Sequence, residues 1–389
     1  MKKMNKTHNF NKKSVVEEAA ARLESLLREA GFVRRVEIRK EMRKGMGPDF
    51  TAEVFTEERS FVLLVETRTS GEPRLAREAI NALTASSAMW SHAYPVFAAP
   101  YISDKAAAIA RENGAGYMDL AGNCRLSFDM VYIYTAGRNN PFRGKRQLKS
   151  FAHPKTMRIL RVLLCHPHRT WKTGELAAEA GVSLGMVSTV AGRLKDMEII
   201  ENRKRGISLA QPKELLDRWV GGSSGEDGPA ESVHRLSSFM DRVRAENALA
   251  RFYEKSGVDF AFTGFSAAVH LASGTDYPEI HAYVSDDAAV PGKAEGFEKS
   301  SDNGNCAKGN IVLVKAQDKG VFYGKRRVMP SSRLQYCNPA EKTVEVVEEE
   351  IRMPMYIVSP VQVYRDLHVL FGATAAAGKL LRQAIEPSW

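Results

Sequence analysis

Two groups of residues in this 389-residue chain have the types and spacing to do chemistry. The first is a set of small, hydroxyl and cationic side chains: Lys172 and Thr173, then Ser183, Gly185, Met186, Ser188, Thr189 and Arg193, then the triplet Arg203, Lys204 and Arg205. Small and hydroxyl side chains on one helical face let a helix approach base edges in a major groove, and cations neutralise phosphates. The second group is Asp49, Glu66 and Arg68. Two carboxylates on adjacent strands can hold a divalent ion that activates water, with a cation nearby to hold a phosphate. Guanidinium stays protonated, so Arg68 cannot give up a proton. The same spacing is what two strand-end surface carboxylates would show, and both readings stand open at this point.

The elements that must position the first group are written in residues 154–210. A helix is expected from Lys155 to Cys165, with Met157, Ile159, Leu160, Leu163 and Leu164 on its apolar side. A second runs from Thr173 to Ala180, with Thr173 as its cap. Gly181-Val182-Ser183 then supplies a C-terminal glycine for one helix and a capping serine for the next. In the third helix Val187, Ala191 and Leu194 recur at i, i+4 and i+7 and should face inward, which turns Ser183, Gly185, Met186, Ser188, Thr189 and Arg193 outward or to the flanks. The run EIIENRKRGISLA reads as two strands with a cationic tip at 203–205. With GELAAEAGVSLGMVSTVAGRL at its centre, this segment resembles winged helix-turn-helix transcription factors. The resemblance implies a double-stranded DNA partner, with the third helix in the major groove and the wing on phosphates.

The second group sits in a segment whose expected order is αβββαβα. SVVEEAAARLESLLREA opens it as a helix, with Val15, Val16, Ala19, Leu23, Leu26 and Leu27 on one face. RRVEIRKEMR, DFTAEVFT and SFVLLVETR follow as strands, then PRLAREAINALTASSAMW as a helix, YPVFAAP as a strand and SDKAAAIARENG as a helix. With GPDF leading into the second strand and ETR ending the third, the segment resembles the PD-(D/E)XK restriction-endonuclease-like fold. That resemblance implies Asp49 and Glu66 as metal ligands at strand positions and puts Arg68 where the family has its catalytic lysine. Because Arg68 stands in that lysine's place, the expectation is a degenerate domain that keeps DNA affinity or acts as a scaffold, with an active nuclease as the other branch; Mg²⁺ is expected only if the site is active, and DNA binding itself needs no cofactor. Asp119 and Asn123 in GYMDLAGNCRLSF read as a tight turn.

Beyond a Gly/Ser-rich stretch, Gly221 to Pro229, the chain is expected to begin a third α/β segment with one helix, SVHRLSSFMDRVRAENALARFYEKSG. FAFTGFSAAVHLASG reads as a strand turning through Thr263-Gly264 into a short helix; EIHAYVSDD, NIVLVKAQ and VEVVEEEIRMPMYIVSP read as further strands, and PVQVYRDLHVLFGATAAAGKLLRQAI as closing helices. The strand-Gly-x-Ser-helix start is reminiscent of nucleotidyltransferases, and Glu279 and His281, spaced i, i+2, could share a metal; a structural or partner-binding role is the preferred reading. TGFSAAVHLASG, SPVQVYRDLHVLFG and AAAGKLLRQAI, together with the winged segment, look like the AbiEi-type antitoxins of type IV toxin–antitoxin systems. These antitoxins usually lack the N-terminal extension. The resemblance implies a bacterial repressor of its own promoter, with a cognate toxin as protein partner.

Composition bounds these expectations. The length requires more than one core, and an α/β multidomain chain is expected: residues 1–143, 151–220 and 231–389, with Gly137–Ser150 as the other linker. Residues 1–150 carry 25 basic against 17 acidic side chains and 151–218 carry 12 against 7, while the remainder carries 19 against 22. The basic excess thus lies where the nucleic-acid motifs lie. Cys124, Cys165, Cys306 and Cys337 form no CxxC pair, so neither a zinc knuckle nor a dithiol centre is written in them, and reduced thiols are expected. No apolar run reaches the ~18 residues of a membrane span and the basic start lacks a signal-peptide core. A cytoplasmic, nucleoid-associated protein, able to form a homodimer, is expected. The rival reading is a metal-dependent nuclease that uses the winged segment to dock DNA, and a third is an interaction protein that binds no DNA.

Overall fold

A computed structural model describes residues 10–31, 33–40, 47–87, 90, 93–129, 131–142, 151–204, 206–221, 233–272, 279–286, 288–299, 310–329, 336–337, 344–345, 354–369 and 375–386. Both linkers lie largely outside these residues, as does Arg205. The fold is mixed α/β, and the chain divides into two compact units: 1–147 with 192–200, and 148–191 with 201–389.

In the first unit α1 (Lys12–Arg28) starts where Asn11 accepts a hydrogen bond from the Ser14 amide, and it buries Val15, Ala19, Ala20, Leu23 and Leu27. Seven strands follow in sheet order: β1 (Arg35–Lys40), β2 (Phe50–Phe55), β3 (Ser60–Thr67), β4 (Ala93–Ala99), β5 (Gly116–Asp119), β6 (Cys124–Phe128) and β7 (Val131–Thr135). The first three pair antiparallel, β3 to β5 pair parallel, and β5 to β7 return to antiparallel. Parallel neighbours need crossovers, supplied by α2 (Pro73–Ser87) and α3 (Asp104–Glu112). One sheet face packs Phe50, Leu63, Val65, Val96, Leu126 and Phe128 with the apolar side of α1; the other packs Phe97, Ala99 and Tyr117 with α2 and α3. Because both faces are covered in the middle, β3 is apolar almost throughout. Residues 192–200 belong to this unit, where Arg74 and Arg77 of α2 pair with Asp196 and Glu198 at 2.5 and 2.8 Å.

The second unit begins with α4 (Pro154–Cys165), α5 (Thr173–Ala180) and α6 (Leu184–Asp196, whose end counts with the first unit), then the hairpin β8 (Ile200–Arg203) and β9 (Gly206–Leu209), and α7 (Pro212–Gly221). Its larger sheet has the order β13-β10-β14-β12-β11-β18-β15, from β10 (Val233–Ser237), β11 (Phe260–Phe262), β12 (Ile280–Val284), β13 (Glu298–Lys299), β14 (Ile311–Lys315), β15 (Arg326–Val328) and β18 (Met355–Ile357). β16 (Tyr336–Cys337) and β17 (Val344–Glu345) make a separate pair. Four helices accompany the sheet: α8 (Arg242–Ser256), α9 (Gly264–Ala268), α10 (Pro360–Val369) and α11 (Ala375–Ile385).

One expectation is overturned here. The single helix expected to open this segment is a strand followed by a helix, because residues 233–236 pair antiparallel with β14 and Asp241 caps α8 by accepting from the Arg244 amide at 3.0 Å. Cys124 and Cys165 are free thiols whose pKa burial raises. Cys306 and the Cys337 side chain lie outside the described residues. No helix among the described residues is long and apolar enough to cross a membrane.

Candidate nucleic-acid interface

The connection between α5 and α6 is built as its residues dictate. Gly181 ends α5 in the left-handed region (φ 61°, ψ 45°), and the Ser183 hydroxyl receives the Met186 amide at 3.3 Å as α6 begins. Thr173 is the first residue of α5 rather than its cap: Lys172 occupies the capping position, and its side chain cannot accept a hydrogen bond from the backbone. Lys172 is exposed, with Nζ 3.9 Å from Glu175 Oε1.

On α6, Val187, Val190 and Leu194 are buried, and Ala191 is only half-buried. The inward row is therefore centred on Val190, which sequence periodicity passed over in favour of Ala191. Ser183, Gly185, Ser188, Thr189 and Arg193 are exposed, and Met186 is half-buried at the flank. Thr189 donates its hydroxyl to the Gly185 carbonyl at 2.9 Å, one turn back. Open space surrounds the Cβ positions of Gly185 and Gly192, so the helix backbone can be approached closely. Leu184, 59% exposed at the first position of α6, was not singled out by sequence reasoning. An apolar side chain there suits contact with a thymine methyl group.

The hairpin of β8 and β9 is extended by one residue, Trp171, which exchanges backbone hydrogen bonds with Ile207 at 2.8 Å in both directions. Trp171 is fully buried under Arg169, whose guanidinium carbon is 3.7 Å from its ring centroid. Gly206 has φ 140°, and a Cβ on it would lie 2.2 Å from the Trp171 carbonyl oxygen. Only glycine fits there. At the tip, Arg203 pairs with Glu201 of the same strand (Nε to Oε1 2.7 Å), and Lys204 is exposed. Arg205 lies outside the described residues.

Within the second unit a buried polar chain ties α4 to α10. Arg161, 2% exposed, donates from Nε and Nη2 to Gln362 Oε1 at 2.9 and 2.7 Å. Gln362 donates to Asp366, which also accepts from the Thr263 hydroxyl, both at 2.7 Å. The guanidinium carbons of Arg161 and Arg365 lie 5.5 and 5.6 Å from the Trp219 ring centroid. Burial pushes Arg161 down to about 10 and raises Asp366. None of this was legible in sequence, because its members are far apart along the chain.

Asp49, Glu66 and Arg68 are brought together in the first unit. Asp49 stands one residue before β2 rather than within it; its amide donates to the Val65 carbonyl at 2.9 Å, which puts it across from Glu66. Its Oδ2 accepts from the Thr67 amide and hydroxyl at 2.8 and 2.7 Å. Lys12, at the start of α1, places Nζ 2.8 Å from Asp49 Oδ1 and 3.8 Å from Glu66 Oε1, and Arg68 pairs with Glu66. Two carboxylates thus face two cations, and a divalent ion would have to displace both. As placed, these side chains fit an internally neutralised cluster rather than a metal site, and among the described residues no larger His, Cys, Asp and Glu cluster suited to a metal forms. Lys12 and Thr67 were missed by spacing alone.

Asp119 forms the tight turn expected of it, accepting from the amides of Gly122 and Asn123 at 2.7 and 2.8 Å. His281 Nε2 lies 3.4 Å from Glu279 Oε2, and burial holds its pKa down to about 4. No protein-family profile matches the chain, and no curated protein is significantly similar to it.

Proposed function

We propose that this protein is a sequence-specific double-stranded DNA-binding regulator, a repressor or antitoxin, in which α6 enters the major groove and the β8–β9 wing lies on the phosphate backbone. The observation that carries this reading is the outer face of α6. Ser183, Leu184, Gly185, Ser188, Thr189 and Arg193 are exposed above a buried row of Val187, Val190 and Leu194, and a hairpin with a cationic tip follows directly. A toxin bound as protein partner extends the same proposal by resemblance to AbiEi-type antitoxins. Selection of bound duplexes from a random pool tests it. A recovered consensus that shifts when Ser188 or Thr189 is replaced supports the reading, and recovery of no preferred sequence counts against it.

The facing of Asp49 and Glu66 keeps a second reading, a metal-dependent nuclease. Lys12 and Arg68 weigh against it by neutralising the carboxylates. Incubation of plasmid and linear DNA with Mg²⁺ or Mn²⁺ separates the two: cleavage that disappears in Glu66→Ala would establish the nuclease, and intact DNA favours the regulator.

A further inference from the structure

The sheet of the first unit ends in a face that the core does not use. On β6 and β7 the residues Cys124, Leu126, Phe128 and Val131 point into the core beneath α1. The alternate residues point away, as the two-residue period of a strand requires. They include Arg125, Tyr132 and Tyr134. β7 is the last strand of the sheet, and α2 and α3 pack nearer the middle, on Phe97, Ala99 and Tyr117.

Tyr132 and Tyr134 are 63% and 55% exposed, with rings 6.2 Å apart between centroids and inclined by only 26°. Arg125 stands directly opposite Tyr134 in the β6–β7 register, and its guanidinium carbon is 5.9 Å from the Tyr132 ring centroid. Across β5 the row continues with Tyr117, opposite Arg125. The Tyr117 hydroxyl is raised chiefly by burial and further by Tyr134, while Arg111 and Arg125 oppose the rise, which brings a second arginine to this end of the sheet. Two near-parallel aromatic rings on consecutive outward positions, bordered by arginines, combine flat surfaces for stacking with charge for a phosphate backbone. A protein partner could use the rings, but the bordering charges and the basic excess of residues 1–150 favour a polyanion. Duplex DNA keeps its bases stacked on one another and cannot offer them to a flat surface; a single strand can.

We propose that the open face of β6–β7 binds unpaired nucleobases of a single-stranded nucleic acid, with Tyr132 and Tyr134 each stacking a base and Arg125 holding the backbone beside them. This site is separate from the winged module and does not depend on its reading. Stacking does not distinguish DNA from RNA, because every base has a flat face.

The test measures binding of end-labelled oligo(dT) and oligo(rU), and of a duplex, to the full-length protein by fluorescence anisotropy. Replacing both tyrosines by alanine is expected to weaken oligonucleotide binding by roughly tenfold or more for each ring removed. Tyr132→Phe with Tyr134→Phe should keep it within about twofold, since the ring is what stacks. Arg125→Gln should lower affinity and flatten the salt dependence. Because all three side chains leave the core untouched, each variant should melt like the parent. A difference between the oligo(dT) and oligo(rU) arms assigns the natural strand. The proposal is overturned if the parent protein binds neither oligonucleotide, or if the double alanine variant binds both as tightly as the parent. It is equally overturned if that variant only shifts a dimer to a monomer in sedimentation while binding is unchanged, which would make this face a contact between copies. Loss of duplex binding in a wing variant, with oligonucleotide binding intact, would leave this site standing apart from the proposed regulator function.

Discussion

Ser188 and Thr189 are exposed on the outer face of α6. Replacing either should change which base pairs are preferred, by about 1–3 kcal/mol at the affected position, with little loss of stability. Competition binding with single-base operator variants reads this directly. His281 makes a different kind of prediction. Its folded pKa, about 4, lies below the ordinary 6.5, so between those values the unfolded chain takes up a proton that the folded protein refuses. Stability should therefore fall as pH drops from about 6.5 towards 4, by up to ~1.4 kcal/mol per pH unit from this group. Denaturant unfolding of the parent and His281→Gln over that range should show a shallower slope in the variant; equal slopes would remove His281 from the account. At this scale the sequence was informative where the period of one helix decides exposure, as for Ser188, Thr189 and Arg193. It was silent where a partner comes from far along the chain, as Lys12 does to Asp49 and Glu66.

Among the elements, the β8–β9 hairpin and the buried chain from α4 to α10 are the most exposed to a test. Gly206→Ala puts a Cβ against the Trp171 carbonyl in a backbone conformation that L side chains rarely adopt. It should cost a few kcal/mol, on the order of 1–3 for the strained backbone alone, and lower duplex affinity with it. Chemical denaturation together with anisotropy checks both effects. Arg161→Ala leaves the buried Gln362 Oε1 without its donor and opens a void, and should destabilise the protein by about 1–3 kcal/mol for the lost hydrogen bonds, with a packing loss besides. Arg161→Met should recover part of that loss, because an apolar side chain refills the volume while Gln362 keeps its bond to Asp366. The helices and strands of the first unit were readable because their apolar periods of 3.6 and 2 are clean and turn residues separate them. β10 was not, because its five residues merge with the periodicity of α8, and only pairing with β13 and β14 makes them a strand. The β8–β9 hairpin was legible from Gly206 and its flanking cations, whereas the bridge from Trp171 was not, since isolated bridges leave no pattern.

At the scale of the whole molecule, charge is unevenly spread, with the basic excess in residues 1–218 and a slight acidic excess beyond. A duplex partner should therefore bind with a steep dependence on salt. The most direct test of the central claim is a salt titration of operator-duplex binding for the parent and for the variant with Arg203, Lys204 and Arg205 all replaced by alanine. With about six to eight phosphates neutralised, affinity of the parent should fall by ~10³-fold or more between about 50 and 200 mM salt. The variant should bind every duplex more weakly, with a log–log slope reduced by roughly 0.9 for each phosphate that the wing no longer neutralises. An unchanged affinity and slope in the variant would contradict the placement of the wing on DNA, and a parent protein that binds no duplex saturably would contradict the account as a whole.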